Sequence, residues 1–251
     1  MITLAREIWI VFTRSLRLSL REPLMVLVAL APPVYFVVLF GPLWERSLGM
    51  SRDQSYSVFL PGLLVEIAVF GTIFAGVGLV SEIHAGLLER MRVTPVSRTA
   101  LLLGRCARDI FMLLVQGSVL VALAVPFGFP LRAGPLLLTF VLMAFVALAA
   151  TSLSYALATV VRSEMSLAAL ANIINLPLML TSGILLPVAY APDWLRLVSE
   201  FNPVQHAVVA SRALFAGTYS DPSVVRALVI VVVVGGLSAA WAVRRFTRSI
   251  H

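Results

Sequence analysis

The chain has 251 residues, of which 60% are apolar and 12% are charged, and its mean hydropathy is +1.00. A soluble domain carries about 25% charged residues, and disorder requires low hydrophobicity with high charge, so both classes are excluded. The single cysteine, Cys106, excludes a disulfide framework. All 19 basic residues are arginine, so no lysine is present for a Walker A motif, and any ATP chemistry must belong to another chain. The composition indicates a polytopic membrane protein.

Residues 1–22 are predicted to form an amphipathic helix that lies in the membrane interface. Arg14, Arg17 and Arg21 fall on one helical face, and apolar residues occupy the rest. Pro23 is expected to separate this helix from the first apolar run. A plain basic tail is the alternative interpretation. The apolar run itself is expected to be a retained span, because it contains Pro32-Pro33 and no small-residue cleavage site.

Six segments are apolar and long enough to cross a membrane, which takes about 20 residues in a helix. This pattern predicts an all-α polytopic membrane protein with one transmembrane domain, residues 1–251. The predicted spans are 24–43, 58–80, 110–129, 136–161, 166–187 and 224–243.

The distribution of arginine predicts the orientation. Thirteen arginines fall on the side that holds both termini, and six fall on the other side. Because cytoplasmic loops carry an excess of basic residues, both termini are expected in the cytoplasm, with the protein in the cell (inner or cytoplasmic) membrane. Anionic membrane lipid is a sufficient partner for this charge, and no nucleic-acid partner is predicted.

The longest predicted cytoplasmic loop is 81–109. Its first part carries one apolar stripe, formed by Ile83, Leu87, Leu88 and Met91, and Pro95 ends the predicted short helix. Residues 94–109 are predicted to form a second amphipathic helix that leads into the third span. The first helix could dock in the groove of a partner, or it could be a connector on lipid or in solvent. The residues by themselves leave both interpretations open.

The predicted external segment, 188–223, contains two short amphipathic pieces separated by Asn202-Pro203 and ended by Gly217. Trp194 is suited to the outer membrane interface. Such pieces can re-enter the membrane where protein or water satisfies their backbone groups, so re-entrant helices are predicted here.

Polar residues inside the predicted spans are candidates for a substrate path. Glu66 is the one acidic residue well inside a span, where a carboxylate is expected to be protonated, paired or facing water. It could contact substrate or a proton, or it could make a structural hydrogen bond. The other candidates for path lining, each of which could instead join neighbouring helices, are Gln116, Asn172, Asn175, Thr181 and Ser182. Ala150, Ser154 and Ala158 form a small-residue stripe that predicts close helix packing.

No pattern in the chain predicts catalysis. His84, His206 and His251 lie outside the predicted spans, and neither a zinc-protease motif nor a nucleophile elbow is present. We therefore predict no catalytic residue, no metal site and no cofactor on this chain, which would not be an enzyme on its own.

Three stretches together resemble a known family. They are 59–64 at the head of the second span, 82–98 in the long loop, and 176–203 with its LPLMLTSG, PDWL and Asn202-Pro203 elements. In this order the chain resembles, over essentially its whole length, the membrane subunit of type-2 ATP-binding-cassette exporters, the group of daunorubicin-resistance-like drug and lipid permeases. Glu66 occupies a position expected to be apolar, so no family role is carried over to it.

The resemblance implies that a helix in 82–95 docks on a separate ATPase. It assigns this coupling role to Glu82, His84, Gly86, Leu87, Leu88, Glu89, Arg90, Met91, Thr94 and Pro95. ATP and Mg would be bound by the partner, two copies of a cytoplasmic ATPase subunit. Two permease chains, identical or sister, would pair to form the path for a hydrophobic or amphipathic substrate. The external pieces, with Trp194, Asn202 and Pro203, would form an outer gate.

Two other functions remain open at this stage. One is a proton-coupled carrier that uses Glu66, although no half-to-half repeat is evident. The other is a membrane anchor that recruits a cytoplasmic partner without transporting anything. The resemblance favours a permease that exports an amphipathic drug, antibiotic or lipid from the cytoplasm or the inner leaflet.

Overall fold

A computed structural model of the chain describes residues 2–21, 23–49, 51–86, 97–161, 163–184, 188 and 191–248. These residues are almost entirely helical, and the described part of the chain contains no strand. The helices are α1 (Ile2–Leu20), α2 (Pro23–Leu48), α3 (Arg52–Ile73), α4 (Ala75–His84), α5 (Arg98–Ala124), α6 (Ala133–Ala158), α7 (Glu164–Thr181), α8 (Asp193–Glu200), α9 (Pro203–Phe215) and α10 (Pro222–Arg248). A 3₁₀ turn, Val125–Phe127, follows α5.

Five helical stretches in the described residues are long and apolar enough to cross a membrane, which confirms a polytopic all-α membrane protein. They are Arg52–His84, Thr99–Phe127, Ala133–Ala158, Glu164–Thr181 and Pro222–Arg244. The predicted span 24–43 lies within α2, whose described apolar stretch, Leu30–Leu43, is shorter than a crossing. α2 and α3 are paired through side chains of α3: the Tyr56 hydroxyl donates to the Val37 carbonyl at 3.4 Å, and the Ser55 hydroxyl donates to the Gly41 carbonyl at 3.1 Å.

Two boundaries differ from the sequence prediction. α5 is continuous from Arg98 through Asp109 to Ala124, where the sequence predicted an amphipathic helix to 109 followed by a span. No proline interrupts this stretch, and Arg105, Arg108 and Asp109 within it are paired with charged or polar side chains. The predicted second span begins earlier, at Arg52, where the side chains of Ser51 and Gln54 form a capping box.

The spanning stretch Arg52–His84 is interrupted at Phe74, between α3 and α4. The Ser154 hydroxyl of α6 bridges the break, donating to the Ile73 carbonyl and accepting from the Gly76 amide at 2.8 Å. A Cβ on Gly76 would lie 2.8 Å from the Ser154 hydroxyl oxygen, so only glycine permits this approach. The close packing predicted for the small-residue stripe on α6 is confirmed at Ser154.

The centre of the bundle is α3, which is buried on nearly all sides by α5, α6 and α9. Phe59, Leu60 and Leu64 are 0% exposed. A helix that is apolar all round can be buried on every side, and this burial places the rest of α3, including Glu66, among other helices.

α1 packs on the first half of α5. A Cβ on Gly104 would lie 2.7 Å from the Val11 Cβ, so the two helices are in close contact there. One end of the bundle holds α1, the end of α4 at His84, the start of α5 at Ser97, and the C-terminal ends of α6 and α10. We call it the arginine-rich end. The predicted external segment forms two short helices, α8 and α9, and α9 packs against α3 and α10.

Candidate functional site

A cavity of about 370 Å³ lies beside the middle of the bundle, between α2, α3, α5 and α7. We call it the Glu66 cavity, because Glu66 is the one acidic residue among the described residues that line it. Its lining residues are Pro32, Pro33, Phe36, Leu63, Glu66, Ile67, Phe70, Gly71, Phe74, Gln116 and Met179. The structure therefore brings together two of the predicted path residues, Glu66 of α3 and Gln116 of α5.

Within the described part of the chain, no side chain forms an ion pair or hydrogen bond with the Glu66 carboxylate. Apart from Glu66 and Gln116, the lining is apolar, and three of its residues are phenylalanines. A polar group in such surroundings is costly unless it has a partner. The arrangement leaves one carboxylate and one amide available to a molecule in the cavity.

The other predicted path residues do not line the Glu66 cavity. Asn172 is exposed and donates to the Ala168 carbonyl of its own helix at 3.1 Å. Asn175 is buried, and its side-chain oxygen has no hydrogen-bond partner among the described residues. Thr181 and Ser182 donate to carbonyls one turn earlier, at 2.7 and 2.6 Å. These residues shape the end of α7 and its packing.

Asn202, which lies between α8 and α9, joins this part of the chain to α7. Its side-chain amide donates to the Leu178 carbonyl at 2.7 Å and to the Thr181 hydroxyl at 2.8 Å. Its side-chain oxygen accepts from the Val204 amide at 2.9 Å, and Pro203 occupies the first turn of α9. The last carbonyls of a helix lack intrahelical partners, so Asn202 satisfies the end of α7 while it caps α9. Trp194, the third predicted gate residue, is 67% exposed on α8.

Arg212 of α9 makes a second connection, which the sequence analysis missed. Its guanidinium donates to the Val58 carbonyl at 2.9 Å, to the Gly183 carbonyl at 2.9 Å and to the Ile184 carbonyl at 3.3 Å. We call Asn202 and Arg212 with these acceptors the outer clasp, because they hold α3, α7 and α9 together. The available signal was an arginine in the last turn of a largely apolar helical segment, where such a charge is costly unless satisfied.

A network of charged side chains lies at the arginine-rich end. Glu82 of α4 pairs with Arg105 of α5, whose side chain is only 8% exposed. Asp109 of α5 accepts from the Tyr155 hydroxyl of α6 at 2.6 Å and lies 3.2 Å from Arg108. We call these five residues the polar network; it joins α4, α5 and α6.

Helix α1 is tied to the same end. Arg108 donates to the Ser19 hydroxyl at 3.2 Å, and the Ser97 amide donates to the Glu7 carboxylate at 2.9 Å. The backbone hydrogen bond from Ser97 holds the pKa of the Glu7 carboxyl below its usual value. Ser97 also caps α5, so α1 and the start of α5 are held by one residue.

The predicted coupling residues are described only in part. α4 ends at His84, which lies 3.6 Å from Glu164 of α7. Gly86 is in the left-handed region with φ 69°, so the helix predicted to run through it ends before it. Glycine adopts this conformation without the steric cost of a Cβ, and helices often end this way. Leu87, Leu88, Glu89, Arg90, Met91, Thr94 and Pro95 lie outside the described residues.

Comparison with known proteins agrees with this architecture. The family described as ABC-2 type transporter matches residues 6–216. The daunorubicin resistance ABC transporter permease protein DrrB1 of Streptomyces coeruleorubidus is 27% identical over 198 residues, covering 78% of this chain and 70% of that protein. The protein ycf38 of Pyropia yezoensis, named as a transport permease, is 26% identical over 219 residues, covering 85% of this chain and 75% of its own length. YbhS of Escherichia coli K12, named as a multidrug ABC transporter permease, is 28% identical over 70% of this chain and 48% of its own.

Proposed function

This chain belongs to the ABC-2 type transporter family and is the membrane subunit of an ABC transporter, and from that premise we propose that it exports an amphipathic drug, antibiotic or lipid. The substrate would leave the cytoplasm or the inner leaflet. The observation that carries the proposal is the Glu66 cavity, an apolar space with two polar groups inside a membrane bundle. Ligand sites are commonly apolar cavities with a few polar groups.

A separate cytoplasmic ATPase, in two copies, would supply the energy and bind ATP and Mg. The chain contains no lysine, so a Walker A site must lie elsewhere. The ATPase would dock on the segment 82–95. The polar network supports this role, because it connects Glu82, at the start of that segment, to α5 and α6. Movement of the docked segment would then reach the spans directly.

Two permease chains, identical or sister, would complete the transporter. α7 supports this pairing, because its outward face is mostly apolar but carries Asn172, a polar side chain that lipid does not satisfy. Met165, Ile173 and Leu180 are 83%, 69% and 59% exposed. The distribution of arginine supports a cell-membrane location with both termini in the cytoplasm, and the outer clasp would then lie at the external gate.

The proposal is tested with the purified full chain reconstituted in vesicles, with and without a co-expressed cassette ATPase. We expect no ATP hydrolysis by the chain alone, and ATP-dependent movement of an amphipathic dye only with the ATPase present. Hydrolysis by the pure chain would contradict the assignment. Dye movement driven by a pH gradient without nucleotide would instead favour a proton-coupled carrier, and ATPase docking without any substrate-stimulated hydrolysis would favour an anchor.

The Glu82–Arg105 pair is expected to transmit the motion. Glu82→Gln should lower the free energy of unfolding by about 2 kcal/mol, less than for a fully buried pair because Glu82 is 37% exposed. It should also lower the ratio of dye transported to ATP hydrolysed. In a double-mutant cycle, the chain with both Glu82→Gln and Arg105→Gln should lose about as much unfolding free energy as either single variant, because each change removes the same contact. Glu164→Gln, at the more exposed 3.6 Å contact with His84, is the matched control. Additive effects of the two changes would refute the role of the pair.

A further inference from the structure

We propose that the Glu66 cavity binds a lipophilic cation, an ammonium or related charge with apolar substituents. Cation binding by the cavity does not depend on the proposed function. The consequence that the transported molecule is cationic does rest on it. The juxtaposition that carries it is one unpaired carboxylate facing three phenylalanines and an amide in an otherwise apolar space.

The first argument is the missing counter-charge. A carboxylate among apolar side chains is stable as an anion only when a cation or several donors compensate it. The other buried charges in the described residues have such compensation: Arg105 pairs with Glu82, Asp109 with Arg108 and Tyr155, and Arg212 with three carbonyls. Glu66 has none of these among the described residues. A bound cation would supply the missing compensation.

The second argument is the aromatic wall. Phe70 and Phe74 lie edge to face with ring centroids 5.4 Å apart, and Phe36 of α2 lines the same cavity. Ring faces carry negative electrostatic potential and attract cations, and the attraction strengthens away from water. The same faces repel an anion, so the wall and the carboxylate select the same sign of charge.

The third argument is the size and position of the cavity. Its volume of about 370 Å³ lies within the roughly 300–1,000 Å³ typical of small-molecule sites. Pro32, Phe70 and Gly71, on the lining, are also exposed on the outside of the bundle, so the cavity has a lateral opening. A molecule dissolved in the bilayer could enter there. The lining suits long sugars poorly, because Glu66 and Gln116 are the only polar side chains among the described residues that form it.

The test uses two probes of nearly the same shape and opposite charge, tetraphenylphosphonium and tetraphenylborate. Binding of each is measured by equilibrium dialysis on the purified full chain in zwitterionic lipid nanodiscs. We expect saturable binding of the cation and none of the anion. Glu66→Gln should weaken cation binding about tenfold or more, the loss of one charge-assisted contact, and Glu66→Asp should retain most of it. Glu200→Gln, which removes an exposed carboxylate on α8, is the control for net charge and should leave binding unchanged.

Equal cation binding by the wild type and by a folded Glu66→Gln chain would overturn the proposal, as would equally tight binding of the anion. If Glu66→Gln does not fold, Phe70→Leu keeps the carboxylate and removes one ring, and it should weaken cation binding several-fold. Unchanged affinity in that variant would also count against the site. Because no nucleotide or ATPase is present, failure of ATP-driven transport overturns the proposed function and leaves this result intact. Conversely, absence of saturable cation binding overturns the cation site, even if the chain still transports another solute with ATP.

Discussion

Replacing Arg212 with methionine is expected to lower the free energy of unfolding by about 3 kcal/mol and to abolish most transport. The guanidinium donates to three carbonyls on two other segments, those of Val58, Gly183 and Ile184. A hydrogen bond from a charged group contributes roughly 1.5–3 kcal/mol, and carbonyls left unsatisfied add to the cost. Methionine fills much of the same space, so the change removes the donors and little of the packing. The measurement is unfolding in mixed micelles by circular dichroism, together with dye transport.

Two further variants separate the clasp from a general effect of charge. Arg212→Lys keeps the charge, but its single ammonium group cannot reach carbonyls on both segments. Its loss of stability and of transport should therefore lie between those of the wild type and of Arg212→Met. Arg196→Met removes an arginine that is 52% exposed and pairs with Asp193 at 3.1 Å. A pair of this kind contributes about 0–1 kcal/mol, so little change is expected. If Arg196→Met and Arg212→Met destabilise the protein equally, the outer clasp has no special role.

Gly86→Pro is expected to prevent productive docking of the ATPase. Gly86 has φ 69° and its amide donates to the Ile83 carbonyl at 3.1 Å. Proline fixes φ near −65° and has no amide hydrogen, so it can keep neither feature. A cost of about 3 kcal/mol shifts the population away from this turn by roughly a hundredfold. We expect ATP-driven transport to fall by about that factor, with co-elution of the chain and its ATPase as the direct readout.

Matched glycines provide the controls for this prediction. Gly49 is also left-handed, with φ 61°, but it lies at the opposite end of the bundle, so Gly49→Pro should leave ATPase co-elution intact. Gly78 is helical on α4, and a Cβ there meets nothing within 4 Å, so Gly78→Ala should be neutral. Wild-type co-elution and transport in Gly86→Pro would show that the turn at Gly86 does not position the docking segment.

The spans and the family could be predicted from the sequence because both depend on local signals. Apolar runs of sufficient length specify helices in a membrane, and 59–64, 82–98 and 176–203 keep their order whatever the packing. The N-terminal segment and the two pieces of 188–223 are helical, as local sequence patterns predicted. The continuous α5 was not predicted, because Arg105, Arg108 and Asp109 have the polarity of an exposed segment. Only their pairing with Glu82 and Tyr155 permits their burial.

The amino-acid sequence by itself determined that this is an all-helical membrane protein without lysine, because composition and apolar length are properties of the chain alone. Tertiary structure decided which polar residues meet. Glu66 and Gln116 are 50 positions apart and share a cavity, whereas Asn172 and Asn175, three positions apart, end in exposed and buried surroundings. Arg212 acquires its role only from carbonyls that α3 and the end of α7 present to it. Sequence spacing sets the face of one helix, but the neighbours of that face depend on how the helices pack.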